Sequence, residues 1–337
     1  MRIAVLGAGQ IGRHHCRVVS EHPDAELAIV VDPEPATEGL AYAARAAWLP
    51  SLDHFLSGRP HDVSAAIVAV PTAAHASVVI RLLEAGIPVL VEKPIAHNLR
   101  DALAMISVAR KKRLLLSVGH VERFNPAVQA LQERISANEL GRIFQVHARR
   151  LSPFPSRIGD SGVALDLATH DLDVMCQVAG RPRRVFAEVE RRAHRTHEDL
   201  LVATLRFESG IIGLLEVNWL TPTKVRQMTV TGERGMFVVD YLNQHLTLYE
   251  NARATTDWEA LDLFDGVTEG NVTRYAIPRK EPLRAQLDAF VRALHGEDKV
   301  LVTPEQALEV LRLALLAVQS GTLGQVINPG SPADSTV

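Results

Sequence analysis

Apolar residues follow two rhythms along this chain. Up to about residue 119, short unbroken apolar runs at 2–6, 27–31, 65–70, 88–91 and 114–118 alternate with other stretches. In those stretches, at 10–21, 36–47, 73–85 and 99–111, apolar positions recur every three to four residues. Unbroken runs suit strands buried on both faces, and the longer period marks helices. The alternation predicts a doubly wound parallel sheet with helices on both faces. Beyond about 142 the rhythm changes. Segments 143–151, 184–192, 200–207, 211–220, 225–231 and 236–241 read as long strands, and Glu208-Ser209-Gly210 and Gly232-Glu233-Arg234-Gly235 read as hairpin turns. They predict a large, mostly antiparallel open sheet. One helix at 164–178 interrupts it, and helices at 282–295 and 304–319 close the chain. Residues 252–280 are weakly patterned and read as a long loop. The expected division is 1–119 as an α/β domain and 120–328 as an α+β domain. Residues 329–337 are expected to be a disordered tail.

The first strand runs straight into Gly7-Ala8-Gly9-Gln10-Ile11-Gly12. Gly7 allows a tight turn, Gly9 lets a pyrophosphate approach the backbone, and Gly12 lets helix and strand pack closely. The helix that follows aims its free N–H groups, from Gln10 and Ile11 onward, at the phosphates. The second strand, Leu27 to Val31, ends in Asp32, 20 residues past Gly12. A carboxylate there accepts both ribose hydroxyls and repels a 2′-phosphate, so the expected cofactor is NAD rather than NADP. Together these features predict a Rossmann domain.

Ligands in such sheets bind beyond the carboxyl ends of the strands. Three segments lie there: Val70-Pro71-Thr72-Ala73-Ala74-His75, Glu92-Lys93-Pro94, and Gly119-His120-Val121-Glu122-Arg123-Phe124-Asn125-Pro126. Lys93 at the mouth of a cofactor cleft is a candidate proton-transfer or substrate-orienting group; the competing reading is a surface lysine paired with Glu92. Pro94 suits a cis bond. On the helix at 164–178, Asp166, His170 and Asp173 fall at i, i+4 and i+7, which puts them on one face, with Asp171 on the other. A solvated stripe and a metal site are the alternatives, but nothing supplies a fourth metal ligand, so no metal is expected.

The order GxGxxG, acid after the second strand, VPTxxH, EKP and then DxxxH resembles the Gfo/Idh/MocA oxidoreductase family over roughly residues 1–325. The resemblance implies hydride transfer between a sugar or cyclitol carbon and the nicotinamide of NAD. It implies Lys93, Asp166 and His170 as the catalytic group. Substrate would meet these together with Arg123 and Asn125. The cofactor would meet Gly7, Gly9, Gln10, Ile11, Gly12, Asp32, Pro71, Thr72, His75, Glu92 and Lys93. GHVERFNPAV and DLATHDLDV are most similar to family members that oxidise the 3-hydroxyl of UDP-N-acetylglucosamine and act beside an aminotransferase. The loop Gly159-Asp160-Ser161-Gly162 departs from the family's glycine cluster. Dehydrogenation or reduction of a free aldose, inositol or cyclic imine is the second reading, and a non-catalytic dinucleotide-binding regulator the third.

Composition narrows the field further. The 337 residues carry a formal net charge of −3, which gives no case for nucleic acid or an anionic membrane. The two cysteines, Cys16 and Cys176, lack metal or redox spacing and suit a reduced cytoplasmic protein. No signal peptide or membrane span is read. The strands at 200–207 and 211–220 look too apolar to face water unaided, which predicts a homodimer or homotetramer built on that sheet.

Overall fold

The computed structural model describes residues 1–58, 63–155, 161–193, 196–253, 267–297 and 301–330. Among them are two compact units. The first contains β1 (Arg2–Leu6), β2 (Glu26–Val31), β3 (Ala47–Leu49), β4 (Ala65–Val68), β5 (Val89–Glu92) and β6 (Leu116–Gly119). They form a parallel sheet in the order β3-β2-β1-β4-β5-β6. The order reverses between β1 and β4, the switch point at which such sheets bind ligands. The connecting helices are α1 (Gln10–Ser20), α2 (Glu38–Ala43), α3 (Leu52–Gly58), α4 (His75–Glu84) and α5 (Leu99–Lys112). Strand β3 begins where the helix expected at 36–47 ends and is not read from the sequence. Helix α2 stops at Ala43, Arg45 turns the chain with φ of 57°, and a three-residue edge strand is too short to show a period.

The second unit contains α6 (Pro126–Ser136), β7 (Ile143–Leu151), α7 (Thr169–Ala179), β8 (Pro182–Glu190) and β9 (Leu200–Phe207). It continues with β10 (Ile212–Asn218), β11 (Val225–Gly232), β12 (Gly235–Asp240), β13 (His245–Arg253) and β14 (Val267–Arg274). The sheet order is β14-β13-β12-β11-β7-β10-β9-β8. Only the β7–β10 pair is parallel. Strands β13 and β14 correct the reading of 252–280 as a loop, although 254–266 lie outside the described residues. Burial alternates along β7, β9, β10 and β11: Val146, Ala148, Leu201, Ala203, Leu215, Val217, Met228 and Val230 are buried under α7 and its neighbours, while Val202 and Ile212 on the other face stay 45% and 41% exposed.

The last two helices, α8 (Pro282–Leu294) and α9 (Pro304–Leu323), correct the expected domain boundary. Residues 281–312 belong with 1–121, not with the second unit. The reason is packing: Leu283, Leu287, Phe290 and Val291 join the core of Val5, Cys16, Val19 and Leu27. Arg17 binds Glu281 and His22 binds Asp288. The amphipathic period of α8 is visible in the sequence, but not which of two sheets it covers. The tail beyond residue 330 lies outside the described residues.

Candidate active site

In the first unit the glycine turn has the geometry that a nucleotide phosphate requires. Gly7 has φ of 87°, and a Cβ on it would lie 2.6 Å from the Ala69 carbonyl oxygen. A Cβ on Gly12 would lie 1.8 Å from the Gly7 oxygen, so helix and turn touch only because both residues are glycine. Gly9, the N-cap of α1, faces open space, with nothing within 4 Å of where its Cβ would stand. No side chain caps α1, and its first turn, with Gln10 and Ile11 exposed, carries no acid. Free N–H groups beside an open Cα fit a pyrophosphate. Asp32 is almost fully buried; its Oδ2 accepts from the Ala8 N–H at 2.5 Å and its Oδ1 from the Glu34 N–H at 2.8 Å. Each carboxylate oxygen keeps a second lone pair for a ribose hydroxyl.

Beyond β4, Pro71 is exposed and Thr72 half-buried. His75 is not open to a ligand, which corrects its expected cofactor role. It is 1% exposed, with Nδ1 at 3.0 Å from the Pro94 carbonyl and Nε2 at 3.0 Å from the Val70 carbonyl. It ties the loop after β4 to the one after β5, and burial holds its pKa below the usual histidine value. The Lys93–Pro94 peptide is cis, and Lys93 is half-buried. Glu92 beside it is buried: Oε1 lies 2.7 Å from Nε2 of His15, and Oε2 accepts from the Lys93 N–H at 3.2 Å. Burial works against this carboxylate, but His15 and Lys93 outweigh burial and hold its pKa below the usual glutamate value.

In the second unit Asp166 and His170 are both half-buried. Asp166 sits in a single wide turn of π-helix, Ala164–Ala168, that leads into α7. That turn shifts the phase of Asp166 relative to the residues of α7, where His170 and Asp173 lie. Asp173 is 1% exposed, bound by Arg123 through Nε at 2.7 Å and Nη2 at 2.5 Å. Asp171 lies on the other side of the helix from His170, as expected. It is fully buried and bound by Arg150 through Nε at 2.6 Å and Nη2 at 3.2 Å, and Arg150 also reaches Glu122 at 3.1 Å. Burial lifts the Asp171 pKa above the usual aspartate value, with Arg150 opposing. Burial alone would lower the Arg150 pKa; Asp171 and Glu122 more than reverse that.

The expected substrate contacts in the VERFN segment also have other partners. Arg123 is 16% exposed and clamps Asp173. Asn125 is 1% exposed; its oxygen caps α6 at the Ala127 N–H, and its amide donates to Glu122 and to the Tyr241 carbonyl. Asn125 is a correction, since it is buried and binds the segment to the residue after β12; Arg123, half-buried, holds the segment to α7 through Asp173. Sequence reasoning missed His15, Glu122 and Arg150. His15 had a signal, since it interrupts the buried stripe Gly12, Cys16, Val19 of α1. Among the described residues no cluster of three metal-type ligands occurs, and no helix is long and apolar enough to cross a membrane.

Residues 1–120 match the family model described as an oxidoreductase family with an NAD-binding Rossmann fold, and residues 128–238 match the GFO/IDH/MocA C-terminal domain. The chain is similar to UDP-N-acetylglucosamine 3-dehydrogenase of Acidithiobacillus ferrooxidans, 28% identical over 94% of this chain and 95% of the relative. It is 31% identical to the myo-inositol dehydrogenase Hyg17 of Streptomyces leeuwenhoekii, over 97% and 99% of the two chains. The solved structure of the Acidithiobacillus ferrooxidans enzyme GnnA superposes with a TM-score of 0.83 at 27% identity, covering 95% of this chain and 97% of that one.

Proposed function

Because the chain belongs to the Gfo/Idh/MocA family of NAD-binding oxidoreductases, we propose that it oxidises a sugar hydroxyl to a ketone, namely the 3-hydroxyl of UDP-N-acetylglucosamine or a related nucleotide sugar. The observation that supports this substrate is likeness over nearly the full length of both chains to an enzyme of that name, in sequence and in fold. Bound NAD supplies a hydride acceptor. Gly7, Gly9 and Gly12 with the start of α1 hold its phosphates, and Asp32 its adenosine ribose. Pro71, Thr72, Glu92 and Lys93 complete the cofactor contacts. In this reading His170 takes the hydroxyl proton, while Lys93 and Asp166 hold the substrate hydroxyls in line. Half-burial of all three suits groups that must meet a ligand yet feel reduced solvent screening. A 3-keto product is a substrate for an aminotransferase, the class of enzyme that would act next.

A second reading, oxidation of an inositol or free sugar, is favoured by two observations. Arg123, the cation expected to meet a diphosphate, is bound to Asp173, and the chain is also similar to an inositol dehydrogenase. NADH production with UDP-N-acetylglucosamine, with a ketone trap, against free N-acetylglucosamine and myo-inositol separates the two. Turnover of the free sugars alone overturns the nucleotide-sugar reading. We further propose a homodimer or homotetramer formed through the open sheet face that carries Val202 and Ile212. Light scattering at micromolar concentration tests it, and a monomer overturns it.

A further inference from the structure

His15 has no part in the reaction as described, yet it is 1% exposed and buried against Glu92, the residue next to Lys93. A carboxylate that deep is unstable as an anion unless donors meet it. Glu92 has two: the His15 ring at 2.7 Å and the Lys93 N–H at 3.2 Å. There is no room for it to turn away, because Gly119 of β6 packs against it and a Cβ there would lie 2.9 Å from Oε1. The titratable groups facing the carboxylate are His15 from α1, Lys93 beyond β5, and His75 from α4, which feels the Glu92 charge in turn.

We propose that His15 is a positioning residue for the reacting end of the cofactor: by donating to Glu92 it keeps that carboxyl ionised and so keeps the ammonium of Lys93 balanced. The depressed Glu92 pKa agrees with this. The consequence is specific to this chemistry. The nicotinamide of NAD+ carries a positive charge and that of NADH does not, so an unbalanced Lys93 disfavours the oxidised form selectively. The inference rests on the reading that Lys93 meets the nicotinamide.

The test is the ratio of the dissociation constants of NAD+ and NADH, measured by fluorescence titration between pH 6 and pH 8 on the full chain. Glu92→Gln should raise the ratio about tenfold at every pH, the equivalent of one pKa unit of interaction. His15→Leu should match the wild type near pH 8 and climb toward the Glu92→Gln value as pH falls. His15→Gln, which keeps a donor in reach, should stay with the wild type. Loss of affinity for both cofactor forms by the same factor would mean that His15 only packs, and would overturn the inference, as would an unchanged ratio. Lys93→Ala separates the two failures. If it lowers kcat while the His15 and Glu92 variants leave the ratio alone, the inference falls and the site reading stands. If it changes neither kcat nor the ratio, the site reading falls.

Discussion

Asp166 and Asp171 lie five residues apart, on the wide turn and the helix it leads into, and they have opposite environments. Asp166 is half-buried at the wide turn, one turn before His170. Asp171 is fully buried and clamped by Nε and Nη2 of Arg150. Asp173 repeats the second pattern with Arg123. Residue type alone therefore says little about a carboxylate's task here. An arginine fork takes up both oxygens of the carboxylate it meets, and burial then makes the pair part of the core. Asp166, half-buried at the wide turn, is not sealed into the core in this way.

The contrast is tested most severely at the residues that face the ligand. His170→Ala and Lys93→Ala should each lower kcat by about 100- to 10,000-fold, the usual cost of removing a positioned proton-transfer group. Melting temperature should stay near that of the wild type. Steady-state kinetics beside calorimetry reads both. Full activity in both variants would remove the active-site assignment.

Asp171 should fail in the opposite way. Asp171→Ala leaves Arg150 buried with only Glu122, and breaking such a pair costs about 3–5 kcal/mol of stability. The triple change Arg150→Met, Asp171→Leu and Glu122→Gln should recover most of that loss, because it leaves no unpaired charge of this network in the core. Urea unfolding of the single and triple variants checks it. Equal stability of Asp171→Ala and wild type would show that the pair contributes nothing.

These cases also show what the sequence makes legible. The parallel strands could be read because burial on both faces leaves unbroken apolar runs such as Leu27 to Val31. The glycine turn could be read because Gly7 and Gly12 answer to steric demands that no other residue meets. The helix at 164–178 was placed almost to the residue, but its faces were not. The wide turn at Ala164–Ala168 breaks the period on which the face of Asp166 depends. Nor could the partners be read. Arg150 meets Asp171 from a strand that begins 28 residues earlier, and Arg123 meets Asp173 from 50 residues away. The return of α8 to the first core is a long-range choice of the same kind.

Asp32 falls between the two extremes. Its oxygens each accept one backbone N–H, and each keeps a lone pair toward the cofactor side. Asp32→Ser should weaken NAD binding by roughly tenfold or more, the worth of a hydrogen bond to a charged group. It should also improve NADP use by removing the charge that repels the 2′-phosphate. Equal turnover of NAD and NADP by the wild type would displace Asp32 from the ribose.

Arg123 sharpens the comparison further, because a clamp and a ligand contact respond differently. If its task is to hold Asp173, then Arg123→Gln and Asp173→Asn should each destabilise the protein. The double variant should then lose less than the sum, with a coupling of about 0.5–3 kcal/mol. Their effects on KM for a UDP-sugar should be alike. A rise in KM confined to Arg123→Gln would instead return Arg123 to the substrate.

The smallest expected effect is a slope in stability with pH, and it comes from histidines held as Asp171 is held. His75 lies between two carbonyls, and His22 takes the Asp24 N–H on Nδ1 while Nε2 meets Asp288 at 3.0 Å. Burial lowers both pKa values below the unfolded 6.5; for His22, Arg284 adds to this and Asp288 and Asp24 oppose it. Below 6.5 the unfolded chain therefore holds more protons than the folded one, and stability rises with pH in that window. Their contribution is complete above about pH 6.5 and is lost as pH falls through the lower folded values. The raised Asp171 carboxyl has the opposite sign, but it cancels when a variant is compared with the wild type. Melting temperature should thus decline from pH 7.5 to pH 5.5, and the decline should be shallower in His22→Asn and His75→Asn, whatever their absolute stabilities. A slope unchanged by both substitutions would mean that neither ring is held neutral by the fold.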